Sequence, residues 1–374
     1  MKILYDGQIF DLQQYGGISR YFYELMRCYA AAGAPEFELA CPYTTNGYLW
    51  EAPFLKLNTP LTRKRFKGSG LVNNLLARSR NRSAAETALQ AGDYDLFHPT
   101  YYDPYFLEHL GEKPFVLTVH DMIHERYPEC YPDADPTAGW KQVLVEHSSH
   151  IIADSQSTKN DLIKFCRVKE DKVTVVYLGC SLAPPATADS AIALPEKYLI
   201  YVGERSRYKN FVFAVRALEP LFRENQDLQL LCAGGGGFDA EELALFADLE
   251  LTGRYSQLSL DDKGLASAYS AAVALIFPSL CEGFGVPVLE AFACGCPVIL
   301  SNRTSLPEVG GDAALYFDPE CGEELLSQAA RLIADNSLRQ EFIIAGRERA
   351  REFSWERTAA KIRTVYSAVL GVKG

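Results

Sequence analysis

Short apolar runs rich in β-branched residues alternate along the chain with longer stretches whose apolar positions recur every three or four residues. In the first half the short runs are "MKILYD" (1–6), "FVLTVHD" (115–121), "HIIADS" (150–155) and "KVTVVYLG" (172–179). Runs of this length suit buried strands, and the intervening patterns, such as residues 19–32, suit amphipathic helices. The second half repeats the scheme with "KYLIYVG" (197–203), "LQLLCAGG" (228–235), "AVALIFPS" (272–279), "PVILSN" (297–302) and "AALYFDP" (313–319). The alternation predicts an α/β protein built on two doubly wound parallel sheets. Between the halves, "APPATADSAIALP" (183–195) has the proline- and alanine-rich composition of a linker. The predicted organisation is a first domain over 1–184, a linker over 185–195 and a second domain over 196–353. The closing segment "FSWERTAAKIRTVYSAVL" (353–370) is strongly helical with no strand after it, so it must dock on one of the two domains.

Composition supports this frame. A chain of 374 residues with 48% hydrophobic content can supply cores for two domains of the usual size of roughly 100–200 residues. The longest uncharged run, "GLASAYSAAVALIFPSL" (264–280), reads as a helix end, a turn and a strand, because serines, a tyrosine and a proline interrupt its apolar character. A net charge of −11 repels polyanions at long range, so nucleic acid is not an expected partner. Ten cysteines without a CxxC pair, and an aspartate early in "MKILYDGQIF", predict reduced thiols and a cytoplasmic location.

In doubly wound sheets ligands bind beyond the carboxyl ends of the strands, so chemistry is expected in the loops that follow them. After the first strand, Gly16 and Gly17 open a helix, where two side-chain-free residues let backbone amides approach an anion; a tight turn needs the same residues. The spacing is not the GxGxxG of a dinucleotide fold, which argues against NAD. His120 and Asp121 follow a strand end. His120 and His124 lack a third ligand at a metal-binding spacing, and Asp133 and Asp135 are explained by turn chemistry, so no metal or other cofactor is expected. "YVGERSRYKNF" sets Arg205, Arg207 and Lys209 after a strand, the make-up of a metal-free diphosphate clamp or of a solvated charged loop. Gly234, Gly235, Gly236 and Gly237 predict a sharp turn, with Asp239 capping the next helix.

The densest constellation is "CEGFGVPVLEAFACGCPVILSN" (281–302). Pro287 suits the first turn of a helix and Gly295 its C-terminal stop, which puts Glu282 in a loop and Glu290 inside the helix. Gly283 and Gly285 flank Phe284, so amides and the helix start face an anion while the carboxylates accept from hydroxyls on either side of it. A ligand with hydroxyls, then phosphates, then hydroxyls is a nucleotide sugar.

These segments resemble the family-4 retaining glycosyltransferases of GT-B fold: "EGFGVPVLE" carries the E-x7-E element, and "YGGISRYFYEL", "TVHDMIHERYPE", "YVGERSRYKN" and "LASAYSAAVALIFPSL" match other family segments in order. The resemblance implies two Rossmann-like domains facing a cleft, with residues 354–374 crossing back to the first. It implies a nucleotide-diphosphate sugar held mainly by the second domain, a glycan or lipid-linked acceptor held mainly by the first, and transfer with retention. Carried over, Glu282 holds donor-sugar hydroxyls, Glu290 the ribose, and Phe284 and Gly285 lend amides. Arg205 and Lys209 neutralise the leaving diphosphate, with Arg207 an alternative to Arg205. Gly16 and Gly17 close over the diphosphate, and His120 meets the sugar near its 6-position. Resemblance to mannosyltransferase-like members points to GDP-mannose and to surface polysaccharide synthesis such as lipopolysaccharide or capsule. A nucleotide-sugar epimerase of the same fold and a non-catalytic sugar-nucleotide sensor are the alternatives.

One local feature departs from the acidic average. "LTRKRFKGSGLVNNLLARSRNR" (61–82) holds seven cations and no acid, which suits peripheral contact with a membrane surface or a lipid-linked acceptor, or a solvated loop.

Overall fold

The computed structural model describes residues 1–50, 52–55, 70–185, 192–205 and 207–372. The part of the basic segment at 61–69, and most of the linker, 186–191, lie outside the described residues. Contacts divide the chain into two compact units, one of residues 1–126, 131–178 and 355–374, the other of residues 127–130 and 179–354.

In the first unit, β1 (Lys2–Asp6), β2 (Glu36–Ala40) and β3 (Leu96–His98) form a parallel sheet in the order β2-β1-β3. β4 (Val116–Val119), β5 (His150–Ala153) and β6 (Val173–Val175) form another in the order β4-β5-β6. A parallel bridge between Phe97 and Phe115 joins the two, so strand order reverses direction at the β1/β3 boundary. β1, β3, β4 and β5 bury nearly all their side chains, as strands covered on both faces do. The core gathers Leu4, Phe97, Phe106, Phe115, Leu117, Leu144 and Ile151. Sequence reading missed β2 and β3. β2 is an edge strand of sequence EFELA that alternates charge with apolar residues, and β3 is three residues long between Asp95 and Pro99.

The helix Trp355–Leu370 belongs to this unit and packs against the helix Gly17–Ala32. Its anchor is Tyr366, whose hydroxyl lies 3.1 Å from that of Tyr5 and 2.6 Å from His98 Nδ1. The other ring nitrogen of His98 meets Thr118 Oγ1 at 2.9 Å. Burial holds His98 down to about 3, so the imidazole is neutral and shares its one proton within this network.

A half-buried ionisable group lies beyond the end of β1. Asp11 Oδ1 accepts from Asn81 Nδ2 at 2.6 Å, and the Asp11 carbonyl accepts from Arg78. Burial pushes the Asp11 carboxyl up to about 7, against the lowering effects of Asn81 and Arg78. A carboxyl whose folded value is raised contributes stability that is full below the unfolded value near 3.8 and is lost as pH rises through about 7. Asp11→Asn keeps the acceptor for Asn81 and removes the titration. Between pH 5 and pH 8 the variant is therefore expected to gain ~2–3 kcal/mol relative to the parent, since each tenfold difference in proton affinity between folded and unfolded chains is worth about 1.4 kcal/mol. Urea denaturation of both proteins at the two pH values measures this; a constant difference between them would overturn the assignment.

In the second unit six parallel strands run β7 (Lys197–Val202), β8 (Leu228–Ala233), β9 (Tyr255–Leu258), β10 (Ala274–Phe277), β11 (Val298–Ser301) and β12 (Leu315–Phe317), in the order β12-β11-β10-β7-β8-β9. β9, the second edge strand, is partly exposed at every position and was not predicted. The core combines Leu199, Leu230, Ile276 and Ile299 with Phe211, Val215 and Leu218 from the helix Phe211–Glu224. Here strand order reverses between β7 and β10.

Candidate functional site

The crevice beyond the carboxyl ends of strands at such a reversal is the usual ligand position in a doubly wound sheet. In the second unit the two loops there are those expected to carry the chemistry. After β7 the chain passes Gly203 (φ +114°), the short turn Arg207–Lys209 and left-handed Asn210 into the helix Phe211–Glu224. After β10 it runs through residues 278–285 into the helix Val286–Cys294. The loops are tied together by the Leu280 N–H donating to the Tyr208 carbonyl at 2.8 Å, and by Lys209 Nζ donating to Glu282 Oε1 at 2.7 Å.

The backbone of Glu282 is held from the loop after β11. Its N–H donates to Thr304 Oγ1 at 3.0 Å, and Ser305 Oγ donates to the carbonyls of Glu282 and Phe284, both at 2.9 Å. With amide and carbonyl fixed, the Glu282 carboxylate is aimed at Lys209. Phe284 is buried edge-on against Phe353, their centroids 5.9 Å apart. Gly285 sits at φ +109°, where a Cβ would lie 3.0 Å from Leu306 Cδ2, so the residue capping the helix start has to be glycine. Pro287 occupies the first turn and Gly295 the left-handed C-cap, so Glu282 is in the loop and Glu290 in the helix, as read from the sequence. Glu290 is buried and accepts from Tyr269 Oη at 3.4 Å. Burial, then the Glu290 charge, pushes the Tyr269 phenol well above its ordinary value, so it stays a donor. Ser279 Oγ, at the end of β10, is buried with no partner among the described residues.

Arg205 is placed otherwise than expected. Its side chain is 5% exposed and pairs with Glu242, itself 9% exposed. The guanidinium also donates to the carbonyls of Gly234, Gly236 and Gly237 at 3.3, 3.1 and 2.9 Å, and its carbon lies 4.8 Å from the Phe238 ring centroid. In this structure the Arg205 side chain therefore braces the glycine turn. Glu242 is held in turn by a capping box with Asp239, each side chain accepting the other's N–H at 2.8 Å. Lys209 is the cation of this loop that meets the E-x7-E element, through Glu282, while Arg207 lies exposed on the turn.

In the first unit, Gly16 precedes the helix Gly17–Ala32 and accepts from Arg20 N–H at 3.0 Å and from Ser19 Oγ at 3.1 Å. Gln13 Oε1 accepts the Ser19 N–H at 3.0 Å, so a glutamine carbonyl occupies one of the helix-start donors. His120 is buried beneath Tyr21 and Phe22, with Nδ1 2.8 Å from Asp154 Oδ2. Burial raises the Asp154 carboxyl, and its Oδ1 has no partner among the described residues. His124 stacks on Tyr131 instead of joining His120. Among the described residues no three His, Cys, Asp or Glu side chains converge as a metal site.

Sequence reasoning missed Glu242, Tyr269, Thr304, Ser305 and Asp154. Only Glu242 left a local signal, three residues after its cap partner Asp239. The others reach the site from separate loops and helices.

Comparison with known proteins agrees with this geometry. Residues 15–183 match the model of Glycosyltransferase Family 4, and residues 186–349 that of Glycosyl transferases group 1. The O-antigen chain mannosyltransferase B of Escherichia coli is 29% identical over 290 residues, covering 73% of this chain and 74% of the relative. A D-inositol 3-phosphate glycosyltransferase of Salinispora arenicola is 28% identical over 328 residues, covering 78% and 72%. Among solved structures, sucrose-phosphate synthase from Thermosynechococcus elongatus superposes with a TM-score of 0.76 at 23% identity, covering 99% of both chains. HepE of Anabaena in complex with UDP and glucose gives 0.73 at 17% identity, covering 98% of this chain and 99% of its own. Two parallel α/β units, an E-x7-E loop and helix at the strand reversal of the second, and both matched family segments in order lead to one assignment: the chain belongs to the family-4 glycosyltransferases of GT-B architecture.

Proposed function

We propose that the protein is a metal-independent retaining hexosyltransferase that moves mannose from GDP-mannose to a hydroxyl of a glycan or lipid-linked acceptor in surface polysaccharide synthesis. The observation that carries the reading is the Lys209–Glu282 pair, 2.7 Å apart beside the N-terminus of the helix Val286–Cys294. Breaking the anomeric C–O bond leaves positive charge on the sugar and negative charge on the departing diphosphate. A preorganised cation and helix-start amides stabilise that second charge as it grows. Glu282, fixed through its backbone, is assigned to sugar hydroxyls, and Glu290, one helical turn inward, to the ribose. The acceptor hydroxyl attacks from the face the diphosphate leaves, passing its proton to the leaving phosphate. The mannose assignment is supported by the O-antigen chain mannosyltransferase relatives.

A thermal-shift screen with UDP-, GDP-, dTDP- and ADP-sugars tests the donor, and proton NMR of the product's anomeric coupling tests the stereochemistry. GDP-mannose is expected to raise the melting temperature most and to give an α-linked product. Stabilisation by a different nucleotide alone overturns the donor, and a β-linked product overturns retention.

A further inference from the structure

His120 and Asp154 are the first residues beyond two neighbouring strands. β4 and β5 pair in parallel with Val119 opposite Ala153, so the next residue of each leaves the sheet beside the other. The His120 ring is fixed there from several directions. Its backbone N–H donates to Tyr102 Oη at 3.1 Å, and Nδ1 lies 2.8 Å from Asp154 Oδ2. The rings of Tyr21 and Phe22 stand nearly perpendicular to it, with centroids 5.1 and 6.2 Å away. Among the described residues His120 Nε2 has no hydrogen-bond partner, and 9% of the side chain stays exposed.

Asp154 carries little of the fold's hydrogen bonding. Its side chain is 3% exposed, Oδ2 meets only the imidazole among the described residues, and Oδ1 is buried with no partner among them. A carboxyl group buried for stability would use both oxygens, because an unsatisfied one costs free energy. Asp154 spends its burial on a single bond to a histidine at the carboxyl edge of a parallel sheet, where ligands bind.

That bond decides the proton. An imidazole is a stronger base than a carboxylate, so the proton between Nδ1 and Oδ2 resides on Nδ1. In the neutral ring Nε2 then holds a lone pair and can only accept. A ligand group meeting it has to be a donor, which a hydroxyl is and a carboxylate or ionised phosphate is not. A neutral imidazole backed by a carboxylate also sets no positive charge beside a sugar whose anomeric centre becomes positive as its bond breaks.

Resting on the glycosyltransferase reading, we propose that Asp154 is a positioning residue: it keeps the His120 proton on Nδ1, so that Nε2 accepts a hydrogen bond from a sugar hydroxyl. Asp154 touches no substrate and acts through the ring alone, as a carboxylate behind an imidazole does when it fixes tautomer and orientation.

Proton–nitrogen NMR of the full chain with labelled histidine reads the tautomer, the His120 signals being assigned by their loss in His120→Ala. The Nδ1–H form is expected in the parent. Asp154→Asn keeps the side chain's shape, but its amide can donate to Nδ1, and the ring proton is expected to move to Nε2. Release of GDP from GDP-mannose, with water or α-1,3-mannobiose as acceptor, is expected to lose about tenfold or more in kcat/KM in that variant. In the His120→Ala background the same substitution is expected to cost less than about twofold, since the ring it acts through is gone. A rise in the KM of GDP-mannose would assign the hydroxyl to the donor, and a rise in that of mannobiose to the acceptor. The Kd of GDP, which lacks the transferred sugar, is expected to stay unchanged. A parent with Nε2–H, a loss below tenfold in Asp154→Asn, or a loss above twofold in the His120→Ala background overturns the proposal. Absence of turnover by the parent with GDP-, UDP-, dTDP- and ADP-sugars would instead count against the glycosyltransferase reading, and a proton that leaves Nδ1 only in Asp154→Asn would still support the hold of Asp154 on the ring.

Discussion

Lys209→Ala is expected to lower kcat by about 10²–10³-fold, the range found when one donor to a developing anion is removed, or about 2.7–4 kcal/mol of transition-state stabilisation. The Lys209 Nζ already sits 2.7 Å from Glu282, with side-chain exposures of 18% and 10%, so the pair keeps solvent contact on both sides. Removing the lysine leaves Glu282 partly hydrated, and the fold is expected to melt within a few degrees of the parent. Because the phosphate charge grows only as the bond breaks, the effect belongs in kcat, with the donor KM changing by less than about threefold. Lys209→Arg is expected to recover part of the rate, since the charge remains while its point-like fit is lost. Initial rates at saturating donor decide the matter. A kcat within tenfold of the parent in Lys209→Ala would remove this lysine from the leaving-group site.

Arg205→Ala is expected to act on stability, and strongly. The substitution leaves Glu242 buried without its cation and withdraws the donor from the carbonyls of Gly234, Gly236 and Gly237. Breaking one side of a buried ion pair costs about 3–5 kcal/mol. For a unit of this size that corresponds to a fall of roughly 6–20 °C in its melting temperature. Rates measured well below the transition and scaled to the folded fraction are expected to stay within about tenfold of the parent, in contrast to Lys209→Ala. Calorimetry paired with those rates separates a bracing role from a phosphate-binding one. A stable but inactive Arg205→Ala protein would return this residue to the phosphate clamp.

The contrast between these two cations shows where reading a sequence stops. Counting charges after a strand offered Arg205, Arg207 and Lys209 equally. What turns Arg205 inward is a pocket made by Phe238, Glu242 and the glycine carbonyls, about thirty to forty residues further on. The E-x7-E segment was legible because its punctuation is local: Gly285 at positive φ, Pro287 in the first turn and Gly295 at the end fix where loop and helix divide. Strands with unbroken apolar runs were legible for the same reason, since burial on both faces writes itself into consecutive residues. β2 and β9 were not, because edge strands are partly solvated and carry polar residues. Of the cations in the basic segment, Arg78, Arg80 and Arg82 lie against Asp11, Tyr43 and Tyr105 of their own unit. Composition alone could not have told them from cations that face a partner.

The place of Tyr366 in the first unit sets an order on how the protein is made. Tyr5 and His98 are synthesised early, yet the hydroxyl that completes their network comes from the helix Trp355–Leu370. All of residues 179–354 leave the ribosome before that helix does. Vectorial synthesis usually lets N-terminal domains fold first. Here the second unit can close before the helix that completes the Tyr5–His98 network has been made, so the first unit cannot finish its core until that helix emerges.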